Sequence, residues 1–173
     1  MSDYGGSDTP LEIRDLWQTP AEVYEFMDSI YNFCADVAAS EKNHLHDIFI
    51  DEGEDSLSVN WDERFGGGYV WCNPPYSHIH DWVNKASDCN KTGVVMLLPA
   101  DTSVKWFEKS VITASEIFLV IGGRLSFVRA DSGVKVNGNN KGSMFIVWHR
   151  ARTGFGATIK TISRDELFLK RKR

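Results

Sequence analysis

The spacing of apolar and polar positions changes period several times along the 173-residue chain. After a polar, small-residue opening, MSDYGGSDTP, the residues Val23, Phe26, Met27 and Ile30 recur at helical spacing behind Gln18-Thr19-Pro20. This predicts a helix to about Tyr31, with Thr19 as N-cap, Pro20 at the first helical position and Glu22 in the first turn. YNFCADVAA reads as a short buried strand ending near Asp36. NHLHDIFIDEGEDSL has no single period and suits a turn of helix followed by a short strand. Gly66-Gly67-Gly68 is a turn, YVWC a strand, and SHIHDWVNKASDC a helix with Ile79, Trp82, Val83 and Ala86 inward. TGVVMLLPA is an unbroken apolar run, the mark of a central strand buried on both faces. DTSVKWFEKSVITA reads as a helix capped by Asp101, and EIFLVIGGRLSF as a strand broken at Gly122-Gly123. VRADSGVKVNGNNKG is a polar loop, SMFIVWHR a last long strand, and the C-terminal residues add a short strand and a helical turn.

Strands alternate with helices until the last two long strands, which only a loop separates. Alternation predicts an α/β sandwich with a mostly parallel sheet, and the missing helix predicts an antiparallel strand near one edge. Ligands of such sheets bind at the carboxyl ends of the strands. Asp36, Asn73, Pro99 and the Gly122–Arg124 break all fall there. The domain is expected over residues 15–160, with a flexible lead-in over 1–14 and a basic tail over 161–173.

Composition narrows the class. No apolar run approaches ~20 residues, so no membrane span is expected, and the polar opening is not a signal peptide. Cys34, Cys72 and Cys89 have no metal-ligand spacing, and an odd count without a secretory signal suits a reducing cytoplasm. Cys34 and Cys72 sit in apolar runs and read as small core residues. The net charge of −5 conceals an asymmetry. Residues 1–90 carry 18 acidic and 4 basic side chains, a balance of −14, whereas residues 91–173 carry 6 and 15, a balance of +9. A polyanion partner for the second half is the implication. Arg124, Arg129, Lys135, Lys141, Arg150 and Arg152 cluster in and around one short stretch, ahead of the Lys170–Arg173 tail.

The chemistry concentrates in VWCNPPYSHIHDW, residues 70–82. Two successive prolines withdraw two backbone donors and fix two φ angles. Asn73-Pro74-Pro75-Tyr76 therefore ends a strand with a stiff row of acceptors beside an aromatic ring. That suits methylation of an amino group conjugated to a ring or carbonyl. Such a nitrogen is a poor nucleophile, because its lone pair is delocalised. Two acceptors, the Asn73 side-chain oxygen and the Pro74 carbonyl, would grip its N–H bonds and localise the lone pair by positioning and electrostatics. Tyr76 offers a face for stacking a planar base flipped out of a duplex. The bland alternative is a strand-ending turn with an exposed tyrosine.

With these residues the chain resembles the phage-type (Dam-like) DNA N6-adenine methyltransferases over roughly residues 15–150. The resemblance rests on LWQTP, DVAAS, DSL followed by Trp61, WCNPPY with Trp82 in the next helix, LLPADTSVKWF and GGRLSF. It implies a Rossmann-like, S-adenosylmethionine-dependent methyltransferase sandwich. Thr19 and Pro20 would line the methionine end of the cofactor. Asp36, with Val37, Ala38 and the residues to Ser40, would form the cofactor loop after the first strand. Asp55 and Leu57 would lie near the cofactor's adenine. Asn73, which also borders the cofactor, Pro74, Pro75 and Tyr76 would be catalytic. Arg124 and Phe127 would meet the target base or DNA. The usual glycine-rich cofactor loop is absent, with Asp36-Val37-Ala38-Ala39 in its place. No separate target-recognition domain fits in the chain, so the loop 128–142, with Lys135 and Lys141, is the expected substitute.

Several of these residues have a plainer role open to them. Asp36 could cap a helix. Asp55 lies among Asp51, Glu52 and Glu54, any of which could simply be solvated. His44, His46 and Asp47 have a spacing that suggests a metal, but methyl transfer needs none and a surface turn explains them. Trp82 and Trp106 read as core. Arg124 could brace the sheet end, and Phe127 suits the core as well as a second stacking wall. The expected activity is methyl transfer from S-adenosylmethionine to adenine N6 in double-stranded DNA. The alternatives are another amino acceptor (cytosine N4, RNA adenine or protein glutamine) and a non-catalytic DNA-binding protein on the same scaffold. A monomer or homodimer in the cytoplasm of a bacterial host, encoded by a phage or prophage, completes the expectation.

Overall fold

A computed structural model describes residues 17–129, 132–136, 141–152, 154 and 156–169. The expected lead-in and Lys170–Arg173 lie outside the described residues. The elements are β1 (Trp17–Gln18), α1 (Ala21–Tyr31), β2 (Phe33–Asp36), α2 (Trp61–Arg64), β3 (Tyr69–Cys72), α3 (Ile79–Asp88), β4 (Gly93–Pro99), α4 (Lys105–Thr113), β5 (Glu116–Ile121), β6 (Phe127–Arg129), β7 (Lys135–Val136), β8 (Ser143–Trp148), β9 (Thr158–Ser163) and α5 (Arg164–Leu167). Six of the strands form one sheet in the order β2-β3-β4-β8-β5-β9, and β1-β6-β7 form a second, small one.

Alternation along the strands assigns the two faces. On β4, Val94, Met96 and Leu98 pack with Trp61, Ile79, Trp82, Val83 and Phe107 from α2, α3 and α4. Val95 and Leu97 point the other way, into a cluster with Val23, Phe26 and Met27 of α1 and Leu167 of α5. The layers are therefore helix, sheet and helix, as a strand apolar at every position requires.

The antiparallel strand is not near the edge. β8 is inserted between β4 and β5, antiparallel to both, while β9 adds outside β5 in parallel. Burial explains the placement. All six residues of β8 are buried, which only an interior position provides, whereas β9 is exposed over its first four residues. The domain boundary expected at residue 160 consequently falls inside β9.

Four local expectations are also corrected. Pro20, not Thr19, occupies the N-cap position of α1, and no side chain caps the helix. The Pro20 carbonyl accepts from Val23 N at 3.0 Å and Tyr24 N at 3.3 Å. Ile30 is exposed, and Tyr24 takes its place in the buried face of α1. Asp101 does not cap α4, which follows Val104. Its carboxylate instead accepts from Ser103 N at 3.0 Å and Ser103 Oγ at 2.6 Å, a turn that ends before the helix begins. Part of the expected polar loop is ordered as the β6–β7 hairpin, with Arg129 N bonded to the Val134 carbonyl at 3.0 Å.

Between β2 and β3 the chain reverses sides. Asp36 bridges in parallel to Phe49 on one side of β2, and β3 pairs with β2 on the other. Such a topological switch point opens a crevice at the carboxyl ends of the strands.

Gly93 tests the packing beneath that crevice. It starts β4 directly opposite Tyr69, and a Cβ there would lie 2.3 Å from the Tyr69 ring. The ring is held by a hydrogen bond between its hydroxyl and His149 Nδ1 at 2.8 Å. Gly93→Ala should destabilise the protein by about 1–3 kcal/mol. Thermal or denaturant unfolding measures this, and an unchanged midpoint would show that the ring moves freely.

Candidate active site

The crevice holds a cavity of about 260 Å³. Its walls come from four chain segments: Gln18 and Thr19 before α1, Asp36–Ser40 after β2, Ile50–Leu57 around the bridge, and Asn73 and Pro75 after β3. Trp71 and Trp82 close it from either face of the sheet.

Asp36 organises the cavity floor. It is 3% exposed, its Oδ1 accepts from Ala38 N at 3.3 Å and its Oδ2 from Leu45 N at 3.1 Å. Burial pushes its pKa up to about 6, against the pull of those two N–H groups and of nearby His44 and His46. The carboxylate thus bends the segment 37–45 back over the strand ends. No helix begins there, so the capping alternative is set aside. At the rim, Gln18 Nε2 donates to the Lys42 carbonyl at 3.2 Å.

The opposite end is built by Trp61. Its indole Nε1 donates to the Ser56 carbonyl at 3.1 Å and lies 3.3 Å from Ser56 Oγ. Lys85 Nζ donates to the Leu57 carbonyl at 2.9 Å. The Asp55–Leu57 turn is thereby held against the cavity, with Asp55 at a left-handed φ of 51°. Asp51 lines the same end, and its Oδ1 accepts from Gly53 N at 3.0 Å and Glu54 N at 3.2 Å.

β3 delivers the acceptor motif to the mouth. Asn73 is half-buried and Pro74 buried. Pro75 adopts φ −55° and leads into a 3₁₀ turn, Tyr76–His78, that starts α3. Tyr76 is half-buried against the core, and its hydroxyl is enclosed with no hydrogen-bond partner among the described residues. Burial raises its pKa well above the ordinary tyrosine value, so the phenol stays neutral and is no base.

The structure brings Thr19, Asp36, Val37, Ala38, Asp55, Asn73 and Pro75 around one cavity, and leaves Pro20 buried beside it. Phe127, expected at the target base, is 1% exposed among Leu125, Phe145 and the α1 residues, so it belongs to the core. Arg124 is exposed beyond the Gly122-Gly123 turn, at the carboxyl end of β5. Lys135 is exposed on β7. Lys141 reaches the same edge of the sheet and donates to Asp101 Oδ2 at 2.6 Å. That bond holds the Asp101 carboxyl down at about 2. Arg150 and Arg152 do not join this group. β8 runs antiparallel and carries them to the opposite edge, where Arg152 Nη2 donates to the Ser87 and Cys89 carbonyls at 2.8 and 2.9 Å.

His44 stacks on Phe49 at 4.3 Å, and its Nδ1 lies 3.1 Å from the His46 carbonyl, which makes a surface turn of this segment. Among the described residues no group of three His, Cys, Asp or Glu side chains is arranged to hold a metal. Sequence reasoning missed Trp71, Gln18 and Asn43 as cavity residues. Trp71 sat unremarked in an apolar strand, and the other two carry no local signal.

A six-stranded, mostly parallel sheet between helices, with Asn-Pro-Pro-Tyr ending a strand beside a switch-point cavity, is consistent with a Rossmann-like methyltransferase fold. The chain belongs to the DNA N-6-adenine-methyltransferase (Dam) family, which it matches over residues 6–173. It is 34% identical over 168 residues to a DNA N-6-adenine-methyltransferase of Escherichia phage T1, covering 87% of this chain and 69% of that one. It is 35% identical over 148 residues to a protein of the same description from Haemophilus phage HP1, covering 82% and 83%. No solved structure matches the chain.

The raised pKa of Asp36 makes a pH prediction. The folded protein holds this proton more tightly than the unfolded chain, whose aspartate titrates near 3.8. The contribution is fully present below about pH 4 and is lost as pH rises to about 6. Wild type should therefore lose stability relative to Asp36→Asn across that window, by up to about 3 kcal/mol. Denaturant unfolding of both proteins across the window measures it. A stability difference independent of pH would mean that the carboxyl titrates normally.

Proposed function

We propose that the protein transfers the methyl group of S-adenosylmethionine to N6 of an adenine flipped out of double-stranded DNA. The observation that carries this reading is that Asn73 and Pro75 line the switch-point cavity. The family relationship supports adenine N6 as the acceptor. The cavity walls suit this cofactor. Thr19 offers a buried hydroxyl without a partner among the described residues at one end, and Asp51 and Asp55 offer carboxylates to ribose hydroxyls at the other. Leu57 and the Trp82 ring supply apolar surface for its adenine.

S-adenosylmethionine supplies an electrophilic methyl group on a sulfonium sulfur. Asn73 Oδ1 and the Pro74 carbonyl would accept the two N6 hydrogens of the target, localising the nitrogen lone pair as the C–N bond forms and the methyl–sulfur bond breaks, which leaves the sulfur a neutral thioether. One N6 proton would then pass to solvent. Neither acceptor is a strong base, so the stabilisation is electrostatic and depends on fixed position. Two prolines with set φ angles provide that fixity. Tyr76 stacks the extruded base through its ring, in keeping with a phenol that stays neutral. Arg124 and Lys135, with Lys141, meet the DNA on the carboxyl edge of the sheet and the β6–β7 hairpin. The product is methylated DNA in the bacterial host of the encoding phage or prophage.

Transfer of labelled methyl groups from S-adenosylmethionine to unmethylated duplex DNA, followed by digestion to nucleosides, tests the reading. N6-methyl-2′-deoxyadenosine is expected, and label in deoxycytidine or none at all would refute it. Asn73→Ala should lower the transfer rate by roughly 10²-fold or more while cofactor affinity stays near wild type. A variant with near-normal turnover would remove Asn73 from the chemistry.

Binding titrations over a range of salt test the DNA face. Lys135→Ala should flatten the slope of log affinity against log salt by about 0.9. Lys141→Ala should flatten it less, because Asp101 already neutralises part of that charge. A slope unchanged in the Lys135 variant would take the hairpin off the DNA.

A further inference from the structure

We propose that the indole N–H of Trp71 is a positioning donor for the carboxylate of the cofactor's amino-acid head. The proposal rests on the methyl-transfer reading above and deepens it.

Trp71 is wholly buried, yet its Nε1 has no hydrogen-bond partner among the described residues. The other two fully buried tryptophans are satisfied. Trp61 Nε1 donates to Ser56, and Trp148 Nε1 donates to Thr113 Oγ1 at 3.2 Å. A buried donor left without an acceptor is costly and rare, and Trp71 is the one of the three that lines the cavity. Its ring is held edge-on to Tyr24 at 5.6 Å and tilted against Phe33 and Phe145, so the N–H direction is fixed. An indole nitrogen can only donate. Its ligand must therefore present an acceptor.

The surroundings specify which acceptor. Trp71 and Asp36 are direct partners in the parallel β2–β3 ladder, and their side chains leave the same face of the sheet. Thr19 Oγ1, also buried and without a hydrogen-bond partner among the described residues, lines the same cavity. α1, 11 residues long, begins just beyond with no capping side chain, and its positive dipole end favours an anion. Two unpartnered donors and a helix N-terminus beside one buried carboxylate match a zwitterion. The carboxylate group meets Trp71 and Thr19, and the ammonium meets Asp36. Asp51 and Asp55 at the other end of the cavity would repel a carboxylate. Trp71 stands on β3 two residues before Asn73, which directly follows the strand's end. One rigid element then fixes both the head of the methyl donor and the acceptor of the target amino group.

The test compares S-adenosylhomocysteine, which has the amino-acid head, with 5′-methylthioadenosine, which lacks it. Trp71→Phe keeps a buried ring and removes the N–H. By calorimetry this variant should bind S-adenosylhomocysteine roughly tenfold or more weakly and 5′-methylthioadenosine as well as wild type does. Equal losses for both compounds, as a merely structural role predicts, would overturn the proposal, and so would no loss for either. Wild type that binds neither compound would instead refute the methyl-transfer reading, and the proposal with it. A variant that fails to fold leaves the wild-type indole N–H resonances to decide. One of them must move downfield with S-adenosylhomocysteine and stay in place with 5′-methylthioadenosine, and its absence would overturn the assignment.

Discussion

The buried carboxylate of Asp36 is the constraint on which the site depends. Desolvation works against its charge, and two backbone N–H groups, those of Ala38 and of Leu45 nine residues beyond Asp36, work for it. Holding both keeps the segment 37–45 folded over the strand ends, and that segment is one wall of the cavity. A glycine-rich loop would reach a similar end by letting the backbone approach a ligand closely. Here the approach is made by small residues, Val37, Ala38 and Ala39, and the loop's path is set by a side chain instead of by glycine conformations.

The second wall follows from a different use of burial. Trp61 is 1% exposed and spends its N–H on Ser56, so the turn that carries Asp55 is fastened to the core by a residue several positions along the chain. Lys85 lies 5.7 Å from the Trp61 ring and donates to Leu57, which ties α3 to the same turn. α3 itself starts at the 3₁₀ turn behind Pro75. The acceptor motif and the far end of the cavity are therefore linked through one helix. That helix sets the placement of the motif relative to the far end of the cavity.

Much of this was legible in the sequence, and the exceptions share a cause. The apolar run of β4 and the alternation of strands with helices are local signals, and they gave the layers. Asn73-Pro74-Pro75-Tyr76 was legible because prolines write their conformation into the chain. The interior position of β8 was harder, because chain order suggests an edge while total burial of SMFIVW demands the middle. Strand direction then separates Arg150 and Arg152 from Lys141, although only Ser143–Trp148 and their flanks lie between them. Trp71 was hidden for another reason. In a buried strand an indole counts as apolar area, and only the folded arrangement shows that its N–H has no partner among the described residues.

The same antiparallel strand explains how an acidic protein can offer a face to DNA. The N-terminal end of β8 lies among the carboxyl ends of β4, β5 and β9. Lys141, Arg124 and Arg164 thus come to one edge from three separate places in the basic half of the chain. Arg164 packs over the glycine turn, where a Cβ on Gly123 would lie 2.7 Å from its Cδ. Along the same edge, the cavity is bordered by Asp51, Glu52 and Asp55 from the acidic half. On the proposed function this division has a consequence. Phosphates are drawn to the side of β4, β5 and β9 and repelled from the side where the cofactor enters. The field of each half falls off within about 10 Å at moderate salt, which is shorter than the sheet is wide, so the two signs act side by side without cancelling. The mouth at Asn73 and Tyr76 lies on β3, between them. A base extruded from DNA held on the basic side arrives there, while the backbone stays clear of the cofactor's end of the crevice.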